Sequence, residues 1–365
     1  MALVPDALTR LGKSGLEFLV ERGAGTGAMS ADDSYEKVGA RIVDVETLYA
    51  ESEVVVKVAP PMQDEVRRLR SGQVLIGFLA PLADLELAQA LAASGATCFS
   101  MELVPRITRA QAMDALSSMS SIAGYKAALL AAERLPRFFP MLVTAAGTLA
   151  PARALILGAG VAGLQAIATA RRIGAVVTAF DVRPAVKEQV QSLGATFLQI
   201  EMPQQDTQDA GGYAKALSEE AHRREVELLS KAVREMDVVI TTALVPGQRA
   251  PILVTEDMVR SMKPGAVIVD LAAEAGGNCA LTRPGEDVVA HGVTILAPLN
   301  LPSTMPVHAS QMYARNISSF LQNMIKDGKL VLDMQDEILR GSCLTHAGQI
   351  VAERTRALVE ATARG

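Results

Sequence analysis

Three glycines in the run Gly158-Ala159-Gly160-Val161-Ala162-Gly163, with the acid Asp181 eighteen residues beyond Gly163, are spaced to hold a dinucleotide. Gly158 permits a tight turn, Gly160 lets the backbone approach a pyrophosphate, and Gly163 lets a helix pack closely on a strand. The run follows the strand-like ALIL and opens an apolar helix, whose first N–H groups and positive dipole end suit phosphate. Asp181 ends the next strand-like run, VVTAF, where a carboxylate accepts hydrogen bonds from both hydroxyls of an adenosine ribose. It repels a 2′-phosphate: two unit charges about 4 Å apart cost roughly 4 kcal/mol at an effective dielectric near 20. NAD(H) is therefore expected over NADP(H), with Arg183 as the counterweight, because an arginine there can receive a 2′-phosphate.

A second constellation lies upstream. Gln111, Asp114 and Ser117 (with Ser118) recur three to four residues apart, which places an amide, a carboxylate and a hydroxyl on one face of a helix read from Arg109 to Arg134. That face can wall the nicotinamide end of a dinucleotide, with Arg106 paired to Asp114. The same residues also fit a capping box, Thr108 with Gln111, on a solvated face. Spacing alone leaves both readings open. His222, His291, His308 and His346 are too scattered to show a ligand spacing, and HExxH, paired-cysteine, GxSxG and Walker A patterns are missing, so no metal is expected.

The elements around these residues alternate. Apolar runs at Leu16–Glu21, Arg41–Val43, Val54–Val58, Val74–Leu79 and Thr97–Met101 form one series of strands. Ala154–Gly158, Val176–Asp181, Ala195–Ile200, Val238–Thr241, Ala266–Leu271 and Val293–Ala297 form another. Helical patterns separate them, among them Val161–Ile173, Gly212–Glu235 and Pro306–Lys326. Several strand runs are apolar throughout, as parallel strands covered on both faces are. The expectation is an α/β protein of two Rossmann-like, doubly wound parallel-sheet domains joined by long helices. Residues 1–120 plus 306–365 would form the first domain and 121–305 the dinucleotide-binding one.

At 365 residues and 38.5 kDa the chain exceeds one ordinary core. A charge of −5 with 4% aromatic residues gives neither the basic face nor the stacking rings of a nucleic-acid binder. Three well-separated cysteines fit a reducing compartment. The opening MALVPDALTRLGKSGLEF lacks a basic-then-apolar leader, so export is not expected. Mean hydropathy is +0.24, yet the most apolar window, Ala154–Ala170, reads as strand, glycine turn and packed helix rather than a membrane span.

The segments RITRAQAMDALSSMSSIAGY, GAGVAGLQAIATARRIGAVVTAFDVRP, ITTALVPG and MKPGAVIVDLAAEAGGN closely resemble the NAD(H)-binding component of proton-translocating nicotinamide nucleotide transhydrogenase. The resemblance spans about Met1 to Leu344. It implies a homodimer of two-domain protomers with NAD(H) in the cleft between domains. It also implies direct hydride exchange with NADP(H) on a partner subunit, and separate transmembrane subunits through which alone the membrane is met. The location implied is cytoplasmic, peripheral at the inner membrane. By position, Arg106, Gln111, Asp114 and Ser117 match the family's nicotinamide-side residues, Gln111 orienting the ring. Gly158, Gly160, Val161, Gly163, Asp181, Val182 and Arg183 match its pyrophosphate and adenosine contacts. Thr241 and Ala243 in ITTALVPG match further cofactor contacts, and Met202–Leu217 matches a mobile loop with Gly212 and Tyr213 at its tip.

Alanine dehydrogenases share both domains. Their resemblance places Ala80 of VLIGFLAPLAD where those enzymes carry a catalytic histidine, and Glu274 of AAEAGG where they carry an aspartate. Losing the histidine disables amino-acid chemistry and leaves hydride transfer intact. A stand-alone NAD-dependent alanine dehydrogenase and a non-enzymatic NAD(H) sensor are the competing readings. Family members also begin with a further strand and a basic, proline-containing turn before the segment resembling ALVPDAL. The expectation is thus a start assigned late or a trimmed chain, with a gap or altered pairing in the first sheet.

Overall fold

Val74–Gly77, Val238–Thr241 and Val267–Asp270 are buried at every residue, which only strands covered on both faces can be. The computed structural model describes residues 1–199, 219–245 and 247–362, and divides into two units, Met1–Met119 with Met305–Gly365 and Ser120–Thr304.

In the first unit, β1 (Leu19–Glu21) and β2 (Arg41–Val43) form a parallel pair of their own. Parallel pairing also joins β3 (Val54–Val56), β4 (Val74–Gly77) and β5 (Thr97–Ser100). Val20, from the first pair, and Val74, Ile76 and Phe99, from the second group, share one apolar cluster with Tyr313, Ile317 and Phe320 of the helix Pro306–Met324. Phe99 and Phe320 meet edge to face at 5.5 Å.

The second unit opens with a hairpin, β6 (Leu142–Thr144) and β7 (Gly147–Leu149). Its seven-stranded sheet is built from β8 (Arg153–Leu157), β9 (Val176–Phe180), β10 (Thr196–Leu198), β11 (Val238–Thr241), β12 (Val267–Asp270), β13 (Asp287–Ala290) and β14 (Val293–Leu296). The strands lie in the order β10-β9-β8-β11-β12-β14-β13, all parallel except β13. Chain order reverses between β8 and β11, so the crevice for a ligand opens at their carboxyl ends. Apolar clusters cover both faces, one centred on Ile156, Ile167 and Ile240 and the other on Leu155, Val239 and Ile268.

Returning to the first unit, β15 (Ile325–Lys326) pairs with β16 (Lys329–Leu330), while β17 (Cys343–His346) adds antiparallel to β5 and carries β18 (Gln349–Ile350). Sequence patterning assigns no strand after Ala297, but CLTH is buried at its first three residues and lies inside the sheet between β5 and β18. No described helix is long and apolar enough to cross a membrane.

All three cysteines are buried, and burial pushes the Cys98 and Cys279 thiols up to about 11 and that of Cys343 up to about 12. A thiol-directed chromogenic reagent at neutral pH is expected to titrate none of them in the folded chain and all three after denaturation. Prompt reaction of the folded chain would contradict this burial.

Candidate functional site

Gly158 leaves β8 with φ +95°, and its N–H donates to the Phe180 carbonyl at 2.9 Å. A Cβ there would stand 2.5 Å from Thr242 Oγ1, and one at Gly163 would stand 1.9 Å from the Gly158 carbonyl oxygen. Gly163 is closed to a side chain by neighbouring backbone, and Gly158 by its left-handed φ and the Thr242 hydroxyl. Gly160, the N-cap of the helix Val161–Arg172, differs: a Cβ there meets only Arg183 Nη2, at 4.0 Å. Space above Gly160 is what a pyrophosphate needs, and the dipole of the helix below attracts it. Exposed Val161 opens that helix. Behind it, the helix Ala115–Arg134 packs so tightly that a Cβ on Gly124 would lie 2.0 Å from the Ala162 carbonyl oxygen.

Asp181 follows β9, with its side chain 5% exposed. Its carboxylate accepts from Ala159 N–H at 2.8 Å, which ties it to the glycine turn, and from Arg183 through N–H, Nε and Nη2 at 2.8–2.9 Å. The hydrogen bond to Asp181 holds the Arg183 guanidinium above its ordinary pKa. The arginine expected as a possible receiver of 2′-phosphate is thus engaged on Asp181. Val182 is half-buried against the cluster around Phe180.

Thr241, at the end of β11, is fully buried and donates its hydroxyl to Asp270 at 2.8 Å, so its side chain faces the protein interior rather than a ligand. The residue that reaches the glycine turn is Thr242, whose hydroxyl donates to the Gly158 carbonyl at 3.0 Å. Sequence reading passes over it because a threonine beside a strand end carries no signal of its own; only the pairing of β8 with β11 brings it there. Ala243 follows, its N lying 3.3 Å from the Gly158 Cβ position.

The polar stripe of the first unit takes a different form from the one spacing implies. Thr108–Met113 is a 3-10 helix, and Asp114, with ψ 86°, breaks it before the α-helix starts at Ala115. Asp114 is a cap: its Oδ1 accepts from Ser117 N–H at 2.8 Å and its Oδ2 from Ser117 Oγ at 2.6 Å. A carboxylate satisfied at helix residue N3 outweighs one more turn of continuous helix, so the long helix read from Arg109 is corrected to two pieces. Arg106, Gln111, Asp114 and Ser117 nonetheless line one open cavity of about 280 Å³, with Pro105 and Thr108. That is below the roughly 300–1,000 Å³ of a whole-ligand site and suits one end of a larger molecule.

Ala80 stands beyond β4 with φ +48°, its N–H and that of Leu79 donated to Glu102, whose carboxylate also accepts from Ser100 Oγ. Glu274, in the second unit, accepts the Asn300 N–H at 2.9 Å. The expected loop Met202–Leu217, with Gly212 and Tyr213, lies outside the described residues. Among the described residues no cluster of His, Cys, Asp or Glu is placed to hold a metal.

The N-terminal domain model of the alanine dehydrogenase/PNT family matches residues 1–123, and the C-terminal domain model matches 127–353. An NAD(P) transhydrogenase subunit alpha chain of Rhodospirillum rubrum is 47% identical over 360 residues, 96% of this chain and 94% of that protein. Alanine dehydrogenase of Mycolicibacterium smegmatis is 30% identical over 361 residues, 97% of this chain and 91% of its own. The crystal structure of transhydrogenase from Sinorhizobium meliloti superposes with a TM-score of 0.87 at 44% identity, covering 96% of this chain and 95% of that one.

Proposed function

The chain belongs to the alanine dehydrogenase/PNT family, and on that premise we propose that it is the NAD(H)-binding subunit of a proton-translocating NAD(P) transhydrogenase. Hydride then passes directly between NAD(H) held here and NADP(H) on a partner subunit, with transmembrane subunits coupling the exchange to proton movement. The carrying observation is the 47% identity to a transhydrogenase subunit along nearly the whole of both chains, against 30% to an alanine dehydrogenase. Ala80 supports it: a methyl group cannot exchange the proton that amino-acid oxidation requires.

The second unit fits the nucleotide. Gly163 is closed by backbone and Gly158 by its left-handed φ and the Thr242 hydroxyl, Gly160 is open above a helix N-terminus, and Asp181 is fixed at the strand end. NAD(H), when bound, supplies or accepts the hydride. For their part, the N–H groups of the turn and of Val161 hold the pyrophosphate, and Asp181 takes the ribose hydroxyls. Gln111, exposed on its 3-10 turn, offers a neutral amide to the nicotinamide carboxamide, while Ser117 pins Asp114 beside it. Transfer between two nicotinamides calls for orientation and exclusion of water, with no general base.

Replacing Asp181 by alanine is expected to release Arg183 toward a 2′-phosphate and to narrow the preference for NADH over NADPH by about tenfold or more. Parallel titrations of the two nucleotides measure it, and an unchanged preference would remove Asp181 from specificity.

A homodimer belongs to the same reading, and the β6–β7 hairpin supports it: Val143 is 74% exposed, Met141 60% and Leu149 49%. Exposed apolar residues clustered in this way are a mark of contact surfaces. V143E is expected to convert a dimer to monomers in light scattering. A variant dimer as tight as wild type would place the interface elsewhere.

The decisive experiment follows reduction of an NAD analogue by NADPH, using the purified chain alone and with an NADP(H)-binding transhydrogenase component, and with alanine plus NAD as a side assay. Transfer only with the partner is expected. Alanine oxidation by the chain alone would overturn the proposal in favour of a complete dehydrogenase.

A further inference from the structure

Beneath the carboxyl ends of β8, β11 and β12 lies a buried polar network that the steps above do not use. Asp270, fully buried at the end of β12, accepts five hydrogen bonds. Thr241 Oγ1 and Ala272 N–H reach one oxygen at 2.8 and 3.0 Å. Asn278 N–H, Cys279 N–H and Thr282 Oγ1 reach the other at 2.8, 3.0 and 2.6 Å. The turn between them closes only on glycine: at Gly277, φ +83°, a Cβ would lie 2.7 Å from Asp270 Oδ2.

Asn278, itself fully buried, then grips a single residue twice. Its Oδ1 accepts the Ala243 N–H at 3.0 Å, and its Nδ2 donates to the Ala243 carbonyl at 2.9 Å and to the Pro251 carbonyl at 2.7 Å. A carboxamide is the one side-chain group with an acceptor and two donors in a single plane. Here it takes the place of a neighbouring strand just where β11 has run out, and it anchors the segment from Ala243 to Pro251 at both ends. Ala243 adjoins the glycine turn, and Thr242 braces that turn from the same stretch of backbone.

We infer that Asn278, oriented by Asp270, is a positioning residue that fixes the backbone at Ala243 for the nucleotide, an inference that rests on the NAD(H) reading above. It touches no reacting atom. Its contribution is a preformed edge to the site that the nucleotide need not order on arrival.

The test titrates NADH into the full-length chain, following nucleotide fluorescence well below the unfolding temperature, for wild type, N278D and N278Q. N278D turns an acceptor toward two carbonyl oxygens and is expected to bind about tenfold more weakly at about pH 8, equivalent to about 1.4 kcal/mol. The introduced carboxyl faces the Ala243 and Pro251 carbonyls, and the Asp270 carboxylate, bonded to the backbone N–H of the same residue, is the neighbouring like charge. The carbonyls and the like charge hold its proton on, so toward about pH 6 it regains a donor and the ratio to wild type shrinks. N278Q, too long by one methylene, is expected to bind weakly at both pH values, and it carries the test if N278D does not fold. Hydrogen exchange without nucleotide should be faster in the variants over 242–251 and unchanged over β8 and β9. Equal affinities in all three proteins, or a loss of protection spread over the whole unit, would overturn the inference. Failure of the wild type itself to bind NADH would instead overturn the nucleotide reading beneath it.

Discussion

Gly163→Val is expected to eliminate measurable NADH binding and to lower the thermal midpoint of the chain by roughly 6–12 °C, the equivalent of about 3 kcal/mol of overpacking in a unit of this size. The obstacle is not a side chain that can swing away. A Cβ at this position would come within 1.9 Å of the Gly158 carbonyl and 3.3 Å of Thr242 Oγ1, so the helix Val161–Arg172 must lift from the sheet. Its other side is already against the Ala115–Arg134 helix at Gly124, which leaves it no room to retreat. Gly160→Ala provides the contrast. Gly160 has φ −75° and ψ −167°, open to any residue, and no atom nearer than 4.0 Å to a Cβ, so its thermal midpoint should stay near that of wild type while binding falls. Differential scanning calorimetry and an NADH titration on both variants separate the two roles. A Gly163→Val protein with a normal midpoint and normal affinity would show that the turn is not built as described.

The second large effect falls on turnover. Gln111→Asn keeps the amide and shortens its reach by one methylene, and hydride transfer with the NADP(H)-binding component is expected to drop about a hundredfold, the usual cost of an ångström-scale misplacement of a reacting group. NADH affinity should change by less than about threefold, because one exposed side chain supplies little of the total contact. Such a split, with turnover lost and binding kept, is the signature of orientation. Unchanged turnover would remove Gln111 from the mechanism.

The glycine turn of the second unit is legible in the sequence because its signals are backbone requirements. Gly158 and Gly163 are glycines for steric reasons that any Rossmann turn repeats, and Asp181 is placed by the length of one strand. Strand positions follow from apolar runs buried on both faces. The polar stripe of the first unit is less legible. Spacing groups Gln111, Asp114 and Ser117 correctly, but helical periodicity does not reveal that Asp114 prefers to cap, a competition decided by its two bonds to Ser117. Thr242 and Asn278 are out of reach altogether, because their partners Gly158, Ala243 and Pro251 are distant in sequence, and Asp270 gathers its partners only once the turn to Thr282 has folded. The exposed hairpin at Leu142–Leu149 reads as a mere lead-in to β8, since its short strands carry no buried stripe.

The left-handed turn at Ala80 bears on which residues the position can accept. Its backbone, costly by about 1 kcal/mol for a residue with a Cβ, is secured by the Glu102 carboxylate, and the alanine methyl contributes nothing to holding it. The shape of the loop is therefore set through residue 102, and residue 80 need only tolerate a positive φ. A lineage can change what stands at that position, histidine being among the residues that accept such a conformation most readily, without first inventing a new loop. Glu102 holds the loop, and position 80 is carried by it.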